Sequence, residues 1–345
     1  MSPSSLPLQR KKNPSSRMFG LLSVGAFLVV LFLTSACGTN PNLGSGGAGF
    51  GGGSSTGPLT TTPGTSTGAT PTAATTATTT TSGTTSINVT ITYASVKFTI
   101  VDTEQASYFT DDSRTSADKP GALRIDMKEE NTSQNNSSYY LSGAVHLLMP
   151  DNTSVDLLNA KDAYGPEALV SRTDWFDFAV PLTVDVKQLT LHFGTATETP
   201  IDVLLAPNSD VSKYQAKVST PNKQTQYTNG SWTTNWTMTG ASSQLSYEGK
   251  QADKGDVYVV VSLKIDNPSS KDYNGYASSL LRLQAGSTVA PPASWTIPFS
   301  VPAGTTNATG DVAFLVPEGN TDFTMTLLAD PAEGTHQATI SFQIQ

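Results

Sequence analysis

From Ile87 onward, apolar and polar residues alternate in short runs. Ile87, Val89, Ile91 and Tyr93 hold one phase, and Val96, Phe98 and Ile100 take over in the other. The same two-residue period returns at Leu123/Ile125/Met127, Leu189/Leu191/Phe193, Ile201/Val203/Leu205 and Val257/Val259/Val261/Leu263/Ile265. It continues at Val312/Phe314/Val316, Phe323/Met325/Leu327 and Ala338/Ile340/Phe342/Ile344. Alternation of this kind buries one face of a strand and wets the other, as in antiparallel sheets. Turn clusters such as Pro150-Asp151-Asn152 and Pro317-Glu318-Gly319-Asn320 separate the runs. No amphipathic helical period follows, so the expected class is all-β.

The runs repeat at a constant offset of 136 residues. Phe178-Ala179-Val180-Pro181 aligns with Phe314-Leu315-Val316-Pro317, Leu189 and Leu191 with Met325 and Leu327, Asn131 with Asn267, and Tyr140 with Tyr276. Such a register predicts two copies of one domain, 87–206 and 226–345, joined by an inter-domain linker over 207–225. At about 120 residues, each copy is large enough for its own core.

Each half has a long strand ending in Asn-x-Ser (Asn131, Asn267), then a Phe-x-Val-Pro strand with an alternating partner eight residues on, and a closing strand. In this the halves resemble the telokin-like, immunoglobulin-like domains of uncharacterised function found on exported bacterial lipoproteins. The resemblance implies two tandem immunoglobulin-like β-sandwiches without an inter-sheet disulfide, and it implies no activity. The first half departs from the pattern in carrying Trp175-Phe176-Asp177 before its Phe-x-Val-Pro.

Upstream the patterning is different. Arg10, Lys11, Lys12 and Arg17 precede the apolar run from Met18, which ends at Ser35-Ala36-Cys37. This is the layout of a secretory leader over 1–36. It resembles a lipobox, in which the sole cysteine, Cys37, becomes an acylated N-terminus that anchors the chain in a membrane. Met18–Ala36 is also long enough to remain as an uncleaved anchor. Cleavage is favoured by Gly20, Ser23 and Gly25 within the run, by the small residues before Cys37, and by the absence of a disulfide partner. Both readings put the remainder outside the cytoplasm of a bacterial cell.

Residues 37–86 are nearly all Gly, Ser, Thr, Ala and Pro, with no charge between Arg17 and Lys97. Such a segment cannot offset its ordering entropy, so a disordered linker is expected. As a flexible coil, the 49 residues after Cys37 would span on the order of 40 Å, and about 160 Å pulled straight. The chain carries a net charge of −8, and about −12 once the basic leader is removed. That balance argues against a nucleic-acid partner.

Little in the sequence marks chemistry. The G-x-G-x-x-G at Gly44 and the G-x-S-x-G at Gly64 lie in the linker, without the strand and helix those motifs need. His146, His192 and His336 have no ligand partner at metal spacing along the chain. Asp111-Asp112, Asp151–Asp156 and Asp266–Asp272 are carboxylate-rich loops of a kind that can hold calcium, though Asp and Asn also cap turns for local reasons. Several Asn-x-Ser/Thr sequons, Asn88 and Asn307 among them, read as incidental. Trp232 and Trp236 share one side of a strand and, with Tyr227 and Tyr247, form a candidate ligand-contact face. Core packing is the simpler account of that pair. No cofactor, metal or catalytic set is expected. The function that fits is a non-enzymatic surface lipoprotein that binds an extracellular protein or glycan. The alternatives are a self-associating structural envelope subunit or a hydrolase with an unrecognised site.

Overall fold

The computed structural model describes residues 81–111, 121–137 and 139–345. The leader and Cys37 lie outside the described residues, as does most of the expected linker. Within the described residues the chain is all-β, built from antiparallel pairs.

The first repeat contains β1 (Thr81–Tyr93), β2 (Val96–Ala106), β3 (Ala122–Asn131), a single-turn helix α1 (Leu141–Ala144) and β4 (Val145–Leu148). It continues through β5 (Ser154–Ala160), β6 (Ser171–Phe178), β7 (Thr190–Phe193) and β8 (Ile201–Leu204). These strands run in the order β1-β2-β3-β6-β5-β4-β7-β8. β5 changes partner along its length: Ser154–Asp156 pair with β4, and Leu157–Ala160 pair with β6 across a bulge. The sheet folds over at this strand, and its two layers close on one core. Phe98, Ile100, Ile125, Phe176 and Phe178 enter the core from one layer, and Leu147, Leu191, Phe193 and Val203 from the other. Full burial of such a side chain contributes about 2 kcal/mol, which is why the two-residue period dictates the pairing register. The shift of phase after Tyr93 is a two-residue turn, Ala94-Ser95, with φ of 46° and 64°. Turns with two positive φ values match the twist of a hairpin.

The second repeat opens with β9 (Lys217–Ser219), β10 (Lys223–Thr228), β11 (Thr233–Gln244), β12 (Ser246–Tyr247), β13 (Lys250–Gln251) and β14 (Asp256–Asp266). Then come β15 (Tyr273–Asn274), α2 (Ala277–Leu280), β16 (Leu281–Ala285), β17 (Thr288–Ala290), β18 (Pro292–Trp295) and β19 (Ser300–Val301). β20 (Ala308–Pro317), β21 (Asp322–Leu327) and β22 (Ala338–Gln343) complete it. One layer runs β10-β11-β14-β20-β18 with β9 beside β11, and the other runs β17-β16-β21-β22. Trp236, Val259, Leu263, Phe314, Met325 and Phe342 belong to the core between them.

The offset of 136 holds in the backbone. α2 sits 136 residues after α1, and Asn267 repeats the hydrogen bonds of Asn131. Asn131 Nδ2 donates to the carbonyls of Asn135 and Pro166, while Asn267 Nδ2 donates to those of Lys271 and Pro302. The Ser133 and Ser269 amides donate to the two Oδ1 atoms. One difference is plain. The work of β5 is divided in the second repeat between β17, which pairs with β16, and β18, which pairs with β20. Pro291 and Pro292 fall at the break, where a residue without N–H cannot continue a ladder.

Two expected linker bounds differ from the structure. β1 begins at Thr81, inside the expected 37–86 linker, because Thr84–Ser86 pair with Asp102–Glu104 through backbone groups that a Thr-rich stretch retains. Residues 207–225 are not a free connector. β9 pairs with β11, β10 starts at Lys223, and the Tyr214 hydroxyl accepts a hydrogen bond from the Asp202 amide at 2.9 Å. Trp175-Phe176-Asp177, the departure from the family pattern, forms part of β6. There Phe176 is core, and the Arg124 guanidinium lies 3.9 Å from the centre of the Trp175 ring and pairs with Asp177.

The β12–β13 hairpin locks the repeats together. The Ala94 amide donates to Gln251 Oε1 (3.2 Å), Gln251 Nε2 to the Thr199 carbonyl (2.9 Å), and the Thr199 amide to the Ala252 carbonyl (2.9 Å). The left-handed Ala94-Ser95 turn is held in part by these bonds, together with one from the Gly249 amide to Ser95 Oγ.

Candidate binding site

Three of the four aromatic residues singled out in the sequence come together, and the fourth does not. Tyr227 ends β10. The turn that follows is set by Asn229, whose Oδ1 accepts from the amides of Ser231 and Trp232, and by Gly230 at φ 81°. This delivers Trp232 beside Tyr227, with ring centres 5.6 Å apart. Tyr273 of β15 lies 5.4 Å from Trp232 and 6.0 Å from Trp236. Trp236 is a core residue, 1 % exposed, and its indole N–H donates to Thr234 Oγ1 at 2.9 Å. Tyr227 is buried as well, its hydroxyl donating to the Leu328 carbonyl and lying 2.8 Å from Thr335 Oγ1. Burial raises the pKa of the Tyr227 and Tyr273 phenols, so both stay neutral. Of these, only Trp232 is partly exposed. It lines a hollow of about 270 Å³ with Tyr227, Tyr273, Asn274, Asp330 and Glu333.

Tyr247 lies instead at the junction of the repeats, in a small apolar cluster with Ala252, Tyr258 and Val260. Burial there pushes its phenol up to about 12. Tyr273 escaped the sequence reading because its strand is two residues long and shows no alternation.

The larger exposed feature is a pair of aromatic rings, present once in each repeat. Tyr140 (51 % exposed) and Tyr164 (66 %) stand 5.1 Å apart, and Tyr276 (61 %) and Phe299 (47 %) stand 4.4 Å apart. Tyr140 and Tyr276 hold the position before α1 and α2, where the turn buries Leu141 and Ala144, or Ala277 and Leu280, and turns the preceding side chain outward. Their partners arrive from loops, anchored by the Tyr140–Tyr164 bridge and by the Gly275 amide donating to the Phe299 carbonyl at 2.9 Å. In the second repeat Gly275 and Ser279, which flank Tyr276 in the chain, also line the hollow of Trp232. The match of Tyr140 to Tyr276 was visible in the sequence, but the ring partners were not.

Behind the first pair lies a buried ionic cluster. Arg172 Nη2 donates to the Tyr164 carbonyl and lies 2.7 Å from Glu129 Oε2 and 3.5 Å from Asp174 Oδ2. Burial of Glu129, only partly countered by Arg172, pushes its pKa up to about 7. Glu129 is therefore a positioning group: it holds the arginine that holds Tyr164.

In the carboxylate-rich loops the carboxylates serve backbone amides, locally at Asp151 and across the fold at Asp266 and Asp272, while Asp111 pairs with Arg124 and Asp112 lies outside the described residues. Asp151 Oδ1 accepts from the Thr153 amide, Asp266 Oδ1 from Asn307, and Asp272 Oδ1 from Ala303. Among the described residues no group of three His, Cys, Asp or Glu side chains converges on one point, and no helix is long and apolar enough to cross a membrane. Compared with known proteins, the chain matches no family model and no curated protein.

Proposed function

We propose that this chain is a non-enzymatic surface lipoprotein, tethered at Cys37 through a flexible stalk, whose two immunoglobulin-like sandwiches bind an extracellular polymer, glycan or protein. The observation that carries this reading is the duplicated, solvent-facing ring pair at Tyr140/Tyr164 and Tyr276/Phe299. Large apolar rings left in water beside the equivalent positions Tyr140 and Tyr276 contribute little to either core, and apolar patches of this kind mark contact sites. A pair of tilted rings offers an angled polarizable cleft suited to the C–H side of a sugar ring or to an aromatic or proline side chain. Two equivalent faces on one locked scaffold suit a ligand with repeated units, since the second contact forms at high effective concentration.

The test is co-sedimentation of the full detergent-solubilised chain with cellulose, chitin and peptidoglycan, beside Tyr140→Ala, Tyr276→Ala and the double variant. Retention by one polymer is expected, weakened about 3- to 10-fold by each single change and lost in the double, as the worth of one ring contact requires. If no polymer retains the chain, or the double variant binds as the parent does, the glycan reading is wrong. The tether has its own check. Intact mass from the native membrane should show a chain beginning at Cys37 with added acyl mass, absent in Cys37→Ser. An uncleaved Met1 without that mass would replace the lipid with a signal anchor.

A further inference from the structure

Four side chains on the outer face of the first repeat form a straight row across β5, β4, β7 and β8. Asp156 is the direct partner of His146, His146 of His192, and His192 of Asp202. Their neighbours Val145, Leu147, Leu191 and Phe193 are core residues, so the alternation of β4 and β7 places both imidazoles outside. His146 Nδ1 lies 3.3 Å from Asp156 Oδ1, and His192 Nδ1 lies 2.6 Å from Asp202 Oδ1. Ionised carboxylates only accept hydrogen bonds, so each Nδ1 is the donor, and Nε2 is the nitrogen whose lone pair a metal ion can take. The ring centres are 6.2 Å apart. Two imidazoles on one cation, at N–metal distances of about 2.1 Å, have their ring centres about 5 to 6 Å apart, a small side-chain rotation away.

We infer that His146 and His192 form a two-histidine site for a divalent transition cation such as Zn²⁺, Ni²⁺ or Cu²⁺. Asp156 and Asp202 act as the outer carboxylates that orient the rings and raise their basicity. The carboxylates turn toward Nδ1 and not toward the cation position, so two Nε2 atoms supply the protein ligands and water completes the shell. Nitrogen donors favour these metals over calcium or magnesium. The row is held from β8's far side by Tyr214, whose hydroxyl accepts the Asp202 amide, with the Lys213 charge close enough to act on the Asp202 carboxylate. Along the chain the two histidines are 46 residues apart, and only the β4–β7 register joins them.

Calorimetric titration of the metal-stripped full chain with ZnCl₂ and NiCl₂ tests this, in a Cys37→Ser background that removes the one thiol. One saturable site is expected. His146→Gln and His192→Gln should each weaken it at least 10-fold, and Asp202→Ala about 10- to 100-fold, as loss of an outer carboxylate does. His336→Gln should leave it unchanged. The Cu²⁺ complex should show electron-paramagnetic splitting from two equivalent nitrogens, a readout that does not depend on the stability of any variant. Absence of saturable binding, or full affinity in the His146/His192 double variant, overturns the site. So does a copper spectrum with one nitrogen or none.

Discussion

Asn267→Ala should destabilise the second repeat by about 3 kcal/mol. The side chain is fully buried, and its Nδ2 serves the carbonyls of Lys271 and Val301, both at 2.8 Å, and of Pro302 at 3.3 Å. Its Oδ1 accepts the Ser269 amide at 3.1 Å. Alanine would strand these backbone groups away from water, and an unsatisfied buried group costs about 1–3 kcal/mol. Leucine would fill the volume but serve none of them, so Asn267→Leu should be no better. Asn131→Ala should do the same to the first repeat, where Asn131 Nδ2 serves Asn135 and Pro166 and Oδ1 accepts from Ser133. Urea unfolding followed by tryptophan fluorescence measures both. A loss below 1 kcal/mol at either position would mean that solvent reaches those carbonyls and that the side chain is not what closes the loop.

The second large effect is one of pH. Glu129 has its carboxyl raised from the usual 4.5 to about 7, chiefly by burial. Between those values the folded chain holds a proton that the unfolded chain has released, so stability falls as pH rises through that window and levels off above it. The full excursion is on the order of 3 kcal/mol. Asp174 and Asp126 are also raised by burial and act with the same sign. The lowered carboxylates Asp202 and Asp266 work in the opposite sense but below pH 4, outside the window. Unfolding free energies at pH 5 and pH 8 should therefore favour pH 5, and Glu129→Gln should remove most of the difference. Greater stability at pH 8 would show that Arg172 holds Glu129 ionised throughout.

The parts of this structure that can be read from the chain are those where burial and sequence share one period. Val259, Val261, Leu263 and Ile265 alternate because every second residue of β14 enters the core, and a strand is visible there without coordinates. Asn131 and Asn267 could be matched by offset, but their role depends on carbonyls more than thirty residues away. Tyr273 stayed hidden for want of alternation. The Thr81–Ser86 segment looked like linker because it pairs with β2 without any apolar alternation in its sequence. The row through His146 and His192 is a matter of register, a property of four strands at once. Cross-strand neighbours follow from turns and bulges, not from spacing along one segment.

The interrupted strand at Pro291-Pro292 gives the two repeats different mechanics. In the first repeat, β5 laces both layers into one hydrogen-bonded ladder, so the layers cannot part without breaking it. The described layers of the second repeat share no ladder at β17 and β18, and the hydrogen bonds that cross between them, such as Tyr227 to Leu328 and His336 to Thr228, lie on the β10 side. A motion that spreads them apart there breaks apolar contacts but no interstrand bond, and such openings lie at the low end of the local-unfolding scale. The second repeat is thus the compliant half of the molecule. It is also the half that carries the Trp232 hollow, where the Tyr227 hydroxyl, bonded to Leu328 and Thr335, keeps that side closed while the β17–β18 side stays free to part.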